Sequence, residues 1–273
     1  MAEPANLEAD VARAQSGDRA ALEKVLRAVH KDVYNLALRF LWHPQDAEDA
    51  TQEILVRVLT GLGGFRGESA FRTWVYRVAC NALLGARKRR MEERALTFEA
   101  FAGDLEQGLS DAGDDDIENK LLLEEVKIGC TLAMLLCLDR DRRLAYIVGE
   151  ILELDHDQGA LVLDVTPDVF RKRLSRARAA IVAFMQARCG LVEPANACRC
   201  RKRVDAAVAL GRVDLSQLLF ASSQRQAREF PQVLAEIRRL ENTRRAAALY
   251  RSHPQYAPSN AFAAWLKGVL EAR

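Results

Sequence analysis

The stretch LEKVLRAVHKDVYNLALRF, from Leu22 to Phe40, decides the fold class of this 273-residue chain. Its apolar residues recur at steps of three and four, which places them on one face of a helix of about five turns. A second stripe of the same period follows Pro44, a residue that is favoured in the first turn of a helix. No stretch shows sustained strand alternation. The sequence therefore predicts an all-α protein.

The composition is that of a globular chain of about two domains, with 49% apolar and 29% charged residues. The longest apolar run, Gly129 to Leu138, is far shorter than the roughly 20 residues that a membrane-spanning helix needs. Glu3, Glu8 and Asp10 stand where a secretion signal would be basic and then apolar. We therefore expect no membrane insertion, a cytoplasmic location and reduced cysteines.

Charge is segregated along the chain, although the net charge is only +2. Basic clusters occur at 87–90, 171–178 and 199–203, whereas the stretch between Ala95 and Asn119 contains acids but no Lys or Arg. Such segregation predicts basic modules joined by an acidic linker. The predicted domains are residues 7–95, a flexible acidic linker at 96–119, a second helical domain at 120–187, and a Cys-containing helical extension at 188–273.

A helix-turn-helix is predicted between Asp155 and Arg178. Asp155 to Leu163 forms a short helix, Asp164 a turn, and Thr166-Pro167 is a strong helix start. One narrow apolar stripe then consists of Phe170, Leu174, Ala177 and Ile181. The rest of the circumference carries Arg171, Lys172, Arg173, Arg176 and Arg178. A short helix, a tight turn and a second helix with a cationic surface are typical of duplex DNA recognition.

Catalytic motifs are missing from the sequence, so we expect a protein that is not an enzyme. No phosphate-binding Gly-rich loop with Gly-Lys-Ser/Thr occurs, and the four histidines are dispersed without a His-Glu-x-x-His pattern. Asp46, Asp49 and Glu53 share one face of a predicted helix without a histidine. This spacing favours an acidic docking surface over a metal site.

Aromatic residues alternate with polar and basic ones between Phe65 and Asn81. Such a mixture suits the stacking of unpaired bases while the nucleic-acid backbone is held by charge. The alternative interpretation is that Phe71 and Trp74, three residues apart, belong to the core.

These motifs together resemble a known family. DAEDATQE at 46–53, FRGESAFRTWVYRVACN at 65–81 and RKRR at 87–90 look like region 2 of bacterial extracytoplasmic-function (ECF) sigma factors. VTPDVFRKRLSRAR at 165–178 is similar to their region 4 recognition helix. The resemblance implies two helical domains on a flexible linker, with core RNA polymerase and promoter DNA as partners.

The resemblance also implies roles for individual residues. The residues expected to contact core RNA polymerase are Asp46, Glu48, Asp49, Gln52 and Glu53. Those expected at the melted minus-ten element are Phe65, Arg66, Ser69, Arg72, Trp74, Arg77, Asn81, Arg87, Lys88, Arg89 and Arg90. Those expected at the minus-thirty-five duplex are Thr166, Arg171, Lys172, Arg173, Arg176 and Arg178. Capture of an unstacked base would favour strand opening.

Region 4 departs from the family pattern at three positions. An apolar residue is expected near Gly159, a glycine where Asp164 stands, and a smaller residue than Phe170. Glycine inside a helix costs about 0.5–1 kcal/mol relative to alanine, and Asp adopts a left-handed turn less readily than Gly. These departures predict that region 4 binds its DNA weakly.

Cys189, Cys198 and Cys200 form a C-x8-C-x-C pattern in the extension. Neighbouring thiolates can bind zinc or Cu(I), with His253, His156, Cys130 or Cys137 as the candidate fourth ligand. The alternatives are a redox-sensitive dithiol or structural cysteines. No other cofactor is expected.

The amphipathic helices of the extension suggest regulation within the chain. We expect them to pack on the sigma domains in place of a separate anti-sigma factor, although such a factor remains a possible partner. Two other functions stay open: a metal- or redox-sensing helix-turn-helix repressor that does not bind polymerase, and an interaction scaffold with a degenerate sigma fold.

Overall fold

The computed structural model describes residues 4–87, 96–107, 109, 120–256 and 261–271. In this part of the chain all regular structure is helical apart from two isolated β-bridges, so the all-α prediction is confirmed. The helices are α1 (Pro4–Gln15), α2 (Arg19–Leu41), α3 (Pro44–Gly61), α4 (Phe71–Gly85), α5 (Phe98–Glu106), α6 (Lys120–Leu136), α7 (Arg140–Tyr146), α8 (His156–Leu163), α9 (Pro167–Arg188), α10 (Val204–Ala209), α11 (Gln224–Arg239), α12 (Asn242–Arg251) and α13 (Ala261–Glu271).

The chain divides into two compact units. Unit 1 comprises the described residues of Met1–Arg89, Asp155–Phe170 and Gln255–Arg273. Unit 2 comprises those of Arg90–Leu154 and Arg171–Pro254. The predicted boundaries follow the chain continuously, whereas in the structure α8 and the final helix belong to the same unit as α1–α4. No described helix combines the length and the apolar character needed to cross a bilayer.

The core of unit 1 lies among α1, α2, α3 and α4. The apolar stripe of α2 is buried, with Val25, Leu26 and Phe40 all fully inaccessible. Glu8 of α1 stabilises the start of α4, because its Oε1 accepts the backbone N–H of Phe71 at 2.9 Å. Ser69, whose position favours a capping role, instead directs its hydroxyl to the carbonyl of Ala70.

The helix-turn-helix forms where the sequence predicts it. A capping box starts α8, since the Asp155 side chain accepts two backbone N–H groups and Gln158 returns a bond to the Asp155 backbone. Asp164 ends α8 in the left-handed conformation, at φ 54° and ψ 46°. In α9, the four residues of the predicted apolar stripe are all buried: Phe170, Leu174, Ala177 and Ile181.

Part of the predicted linker is helical. Phe98–Glu106 form α5, in which Phe101 and Leu105 are buried. Asp104 of this helix forms ion pairs with Arg203 at 3.2 Å and Arg212 at 2.6 Å. Residues 108 and 110–119 of the predicted linker lie outside the described residues.

The extension packs along α6 in unit 2. Glu125 of α6 is buried and accepts the backbone N–H groups of Leu219, Phe220 and Ala221 at 2.7–2.8 Å. The Tyr250 hydroxyl donates to the Thr131 carbonyl at 2.8 Å. Residues of the extension up to Pro254 therefore share one core with α6.

Candidate nucleic-acid and polymerase interfaces

Three aromatic rings form a cluster at the start of α4. The Phe65 ring centroid lies 5.3 Å from that of Phe71 and 5.4 Å from that of Trp74, and Phe71 and Trp74 stack at 5.5 Å. Phe71 is fully buried, which supports the core interpretation for this residue. Phe65 and Trp74 are only partly buried, so their rings keep an accessible edge. These two remain candidates for stacking on a base.

The loop before α4 is held in place by α1. The Gln15 side-chain amide donates to the carbonyls of Leu62 at 3.0 Å and Phe65 at 2.8 Å. Gly67 has a φ of 71°, a conformation that favours glycine. The loop that carries Phe65 and Arg66 is therefore a defined turn, and Arg66 is exposed on it.

The other residues predicted at the minus-ten element differ in availability. Asn81 and Arg87 are exposed. Arg72 forms an ion pair with Asp32 of α2. The other three residues predicted at this element lie outside the described residues: Lys88, Arg89 and Arg90.

Arg77 of α4 is engaged by a residue that the sequence did not indicate as its partner. Its guanidinium donates to the Asp164 carboxylate at 2.6 Å. Both side chains are largely exposed, at 41% and 62%. The sequence marked Asp164 as unusual because a glycine is expected at this turn. Spacing along the chain could not indicate that its partner is Arg77, 87 positions away.

The cationic face of α9 is partly paired. Thr166 caps the helix, since its hydroxyl accepts the Val169 N–H at 3.4 Å. Arg173 bonds to Asp141 at 3.2 Å, and the Arg178 Nε donates to Glu150 at 2.8 Å. The side chains that are exposed on this helix include Arg171, Lys172 and Arg176. Arg173 and Arg178 each share a carboxylate that a DNA phosphate would have to replace.

The acidic and polar residues predicted on α3 differ in their exposure to solvent. Asp46 is only 4% exposed, so it lies inside the fold. Glu48, Asp49 and Gln52 are partly buried, and Glu53 is exposed. Of the five residues predicted to contact core RNA polymerase, these four are more accessible than Asp46.

The structure brings a fourth cysteine to the three of the extension. Cys189 and Cys198 are joined by a parallel β-bridge, in which the Gly190 N–H bonds to the Cys198 carbonyl at 3.1 Å. Burial raises the pKa of Cys130 in α6 well above its ordinary value, and the neighbouring Cys189, Cys200 and Cys198 thiols raise it further. Burial, followed by the influence of Cys189, raises the pKa of Cys198 to about 11. Burial also raises the pKa values of Cys189 and Cys200, so it favours the neutral thiol form of all four residues.

This thiol cluster, defined as Cys130, Cys189, Cys198 and Cys200, has the sulfur donors that zinc and Cu(I) prefer. Within the described residues, however, no three His, Cys, Asp or Glu side chains are arranged to hold a metal ion. All six cysteines of the chain are free thiols. Metal binding would require the four side chains to turn toward a common centre and to lose their protons.

Comparison with known proteins identifies relatives. The family model for Sigma-70 region 2 matches residues 25–93. The RNA polymerase sigma-H factor of Pseudomonas aeruginosa is 33% identical over 184 residues, which covers 64% of this chain and 92% of the relative. The ECF RNA polymerase sigma-E factor of Escherichia coli K12 is 32% identical over 178 residues, which covers 63% and 90%.

A solved structure of CnrH in complex with the cytosolic domain of CnrY is also similar. It has a TM-score of 0.48 and 22% sequence identity, and the match covers 67% of this chain and 98% of the matched chain in that complex.

Proposed function

This chain belongs to the ECF family of RNA polymerase sigma factors, and from that membership we propose how its residues direct core RNA polymerase to promoters in the cytoplasm. Three surfaces bind the promoter and the polymerase. They are the start of α4, the exposed face of α9 and the acidic face of α3.

The start of α4 captures the melted minus-ten element. The observation that supports this most is the partly exposed Phe65–Trp74 pair beside exposed Arg66 on a loop held by Gln15. A flipped base can stack on such rings, while Arg66, Asn81 and Arg87 hold its phosphates. In the sequence, the basic residues Lys88, Arg89 and Arg90 directly follow Arg87 and would add positive charge for the same DNA backbone.

The exposed face of α9 reads the minus-thirty-five duplex. Arg171, Lys172 and Arg176 divide between phosphate and base-edge contacts, and each good bidentate base contact contributes about 1–3 kcal/mol of discrimination. Arg173 and Arg178 join them if they exchange Asp141 and Glu150 for DNA phosphates. Loss of the two ion pairs reduces the net gain from these two DNA contacts.

The acidic face of α3 docks on core RNA polymerase. Glu48, Asp49, Gln52 and Glu53 present the exposed charge for this contact, whereas the buried Asp46 supports the helix from within. Charge contacts of this kind steer association and weaken with salt.

The extension regulates the sigma domains from within the chain. The described residues of its last segment, 255–256 and α13, pack on α2 in unit 1, where the Phe262 and His30 ring centroids lie 3.4 Å apart. Tyr256 exchanges two hydrogen bonds with the Asn35 side chain, both at 2.9 Å. An anti-sigma protein would cover the sigma surface from outside, and this segment does so from the same chain.

For the thiol cluster we propose metal-linked or oxidant-linked control of the extension. Binding of zinc or Cu(I) would draw α6 and the Cys189–Cys200 segment together, and oxidation would instead join Cys189 to Cys198, whose backbones already form a bridge. Metal analysis of the purified chain, before and after exchange of Cys130→Ser, separates the two. Metal that the unaltered chain binds and that Cys130→Ser loses supports the first, and a Cys189–Cys198 disulfide found by peptide mapping after treatment with a two-electron oxidant such as hydrogen peroxide supports the second.

The whole proposal is tested by reconstituted transcription. Core RNA polymerase and the full chain are combined on a library of random upstream sequences, and permanganate footprinting of enriched templates detects unpaired thymines. We expect promoter-dependent transcripts, and we expect Trp74→Ala to reduce open complexes while core binding persists. A chain that binds polymerase but never opens any template would be a scaffold, and would contradict the proposal.

A further inference from the structure

Helix α8 packs directly on α4 within unit 1. In the sequence these elements belong to different predicted domains, because α8 is the first helix of the helix-turn-helix and α4 carries the predicted minus-ten residues. The contact therefore joins two elements that would have to act on different parts of a promoter.

Two departures from the family pattern compensate for each other at α8. Gly159 faces the Phe170 ring, and a Cβ at Gly159 would lie 2.6 Å from the Phe170 Cε1. Phe170 is fully buried, so its ring cannot withdraw easily. The glycine is needed because the large ring fills the space that a side chain would take, and the pair fixes how α8 sits on the first turn of α9.

The third departure supplies the charge in the contact. Asp164 is in the left-handed conformation that a glycine would adopt more easily, and its carboxylate accepts a hydrogen bond from Arg77 at 2.6 Å. A glycine at this position would form the same turn but would leave Arg77 without this partner. The three unusual residues therefore all serve the packing of Asp155–Phe170 and its contact with α4.

We propose that Asp155–Phe170 competes with single-stranded minus-ten DNA for the Arg77 face of α4. This inference rests on the proposed role of α4 in DNA binding and adds the segment that blocks it. A guanidinium held by a carboxylate must exchange it before it binds a phosphate. Since both partners are largely exposed, the ion pair is weak and sensitive to salt, which makes the block reversible.

The first experiment removes the charge of Asp164 without disturbing its turn. Asp164→Asn keeps a residue that tolerates the left-handed conformation. The matched control is Asp157→Asn, which removes the same charge from an exposed position of the same segment. Binding of the full chain to a labelled 20-nucleotide random single-stranded DNA pool is measured by fluorescence anisotropy across a salt series.

We expect Asp164→Asn to bind the DNA about two- to fivefold more tightly than Asp157→Asn, the range that a weak surface ion pair allows. We expect Arg77→Ala to bind more weakly than the unaltered chain. Equal affinity of the two Asn variants, with weaker binding by Arg77→Ala, would overturn the competition and leave the DNA-binding role of α4 intact. No effect of Arg77→Ala would overturn both.

The second experiment tests the steric part of the contact by amide hydrogen exchange. We expect Gly159→Ala to raise exchange in both α4 and α8 of the full chain, because the new methyl displaces the Phe170 ring. Adding Phe170→Leu returns the space and should restore part of the protection. Unchanged exchange of α4 in both Gly159→Ala and Asp164→Asn would show that α8 does not protect it, and would overturn the proposal.

Discussion

The two parts of the C-terminal extension are held in different ways. Residues 189–254 of unit 2 share a core with α6, where Glu125 accepts three backbone N–H groups. Lys127 is also buried in this core. Its Nζ lies 2.5 Å from a Glu124 carboxylate oxygen and 3.2 Å from the centroid of the Phe230 ring. The described residues of the last segment, 255–256 and α13, lie on α2 of unit 1 through Tyr256, the Phe262–His30 ring stack and the buried Leu266.

This difference indicates that residues 189–254 are a structural part of unit 2, whereas the last segment can dissociate from α2 without unfolding it. Buried charged groups with satisfied partners are costly to disrupt, because the group that remains is left without water or a partner. A short segment with few buried side chains gains less and can leave without unfolding what it covers. The comparison predicts that loss of the first part unfolds unit 2, whereas loss of the second part only uncovers α2.

The largest effect is expected from Glu125→Ala. Three backbone N–H groups lose a charged acceptor, which should lower the free energy of unfolding of unit 2 by about 3–5 kcal/mol. Glu229→Ala is the matched control, since Glu229 forms only a surface ion pair with Arg225 and should change stability by less than about 0.5 kcal/mol. Denaturant titration followed by circular dichroism measures both, and equal effects would contradict a structural role for residues 219–221.

Deletion of Gln255–Arg273 should have a smaller effect. Loss of the buried Leu266 and Tyr256 contacts should destabilise unit 1 by about 2–3 kcal/mol while hydrogen exchange in α6 and α11 stays unchanged. Affinity for core RNA polymerase should rise if the segment is inhibitory. Cooperative loss of unit 2 in this variant would show that the two parts of the extension are not separable.

Acidification should weaken only the packing of the last segment on α2. Burial, and then the charge of Arg27, lower the pKa of His30 to about 4 from 6.5. Because the released or unfolded state binds the proton first, stability is present above pH 6.5 and is lost as the pH falls toward 4. Between pH 7 and pH 5 the full shift would correspond to about 2 kcal/mol, and solvent screening of the partly accessible imidazole makes the cost smaller.

Limited proteolysis of the last segment at the two pH values measures this loss. Faster cleavage is expected at pH 5 in the unaltered chain, and His30→Gln should remove the difference. The pH dependence would be assigned to another group if the His30→Gln variant kept it.

The smallest effect is expected from Asn35→Ala. Its side chain makes two hydrogen bonds to the Tyr256 backbone, and their loss should cost about 1–2 kcal/mol, felt only by the last segment. Exchange protection of Tyr256 reports it, with the melting of unit 2 as the internal reference. A shift in the melting temperature of unit 2 would show that the two parts of the extension are energetically coupled, which would contradict the comparison.

Much of the fold was accessible from local patterns. The all-α class, the start of α9 at Thr166-Pro167 and the buried stripe of Phe170, Leu174, Ala177 and Ile181 follow from the period of the helix and the chemistry of its caps. These signals act within a few residues, so the sequence carries them directly. The region 2 motif likewise indicated the family without a structure.

The partners across long separations were decided by tertiary structure alone. Asp164 meets Arg77 across 87 positions, Glu125 meets residues 219–221 across about 95, and Cys130 lies near cysteines that are 59 to 70 positions away. Spacing along the chain contains no information on such pairs, since each depends on how whole helices pack. The motifs named the surfaces of this sigma factor, and packing determined which of their side chains are exposed and which are held by another part of the chain.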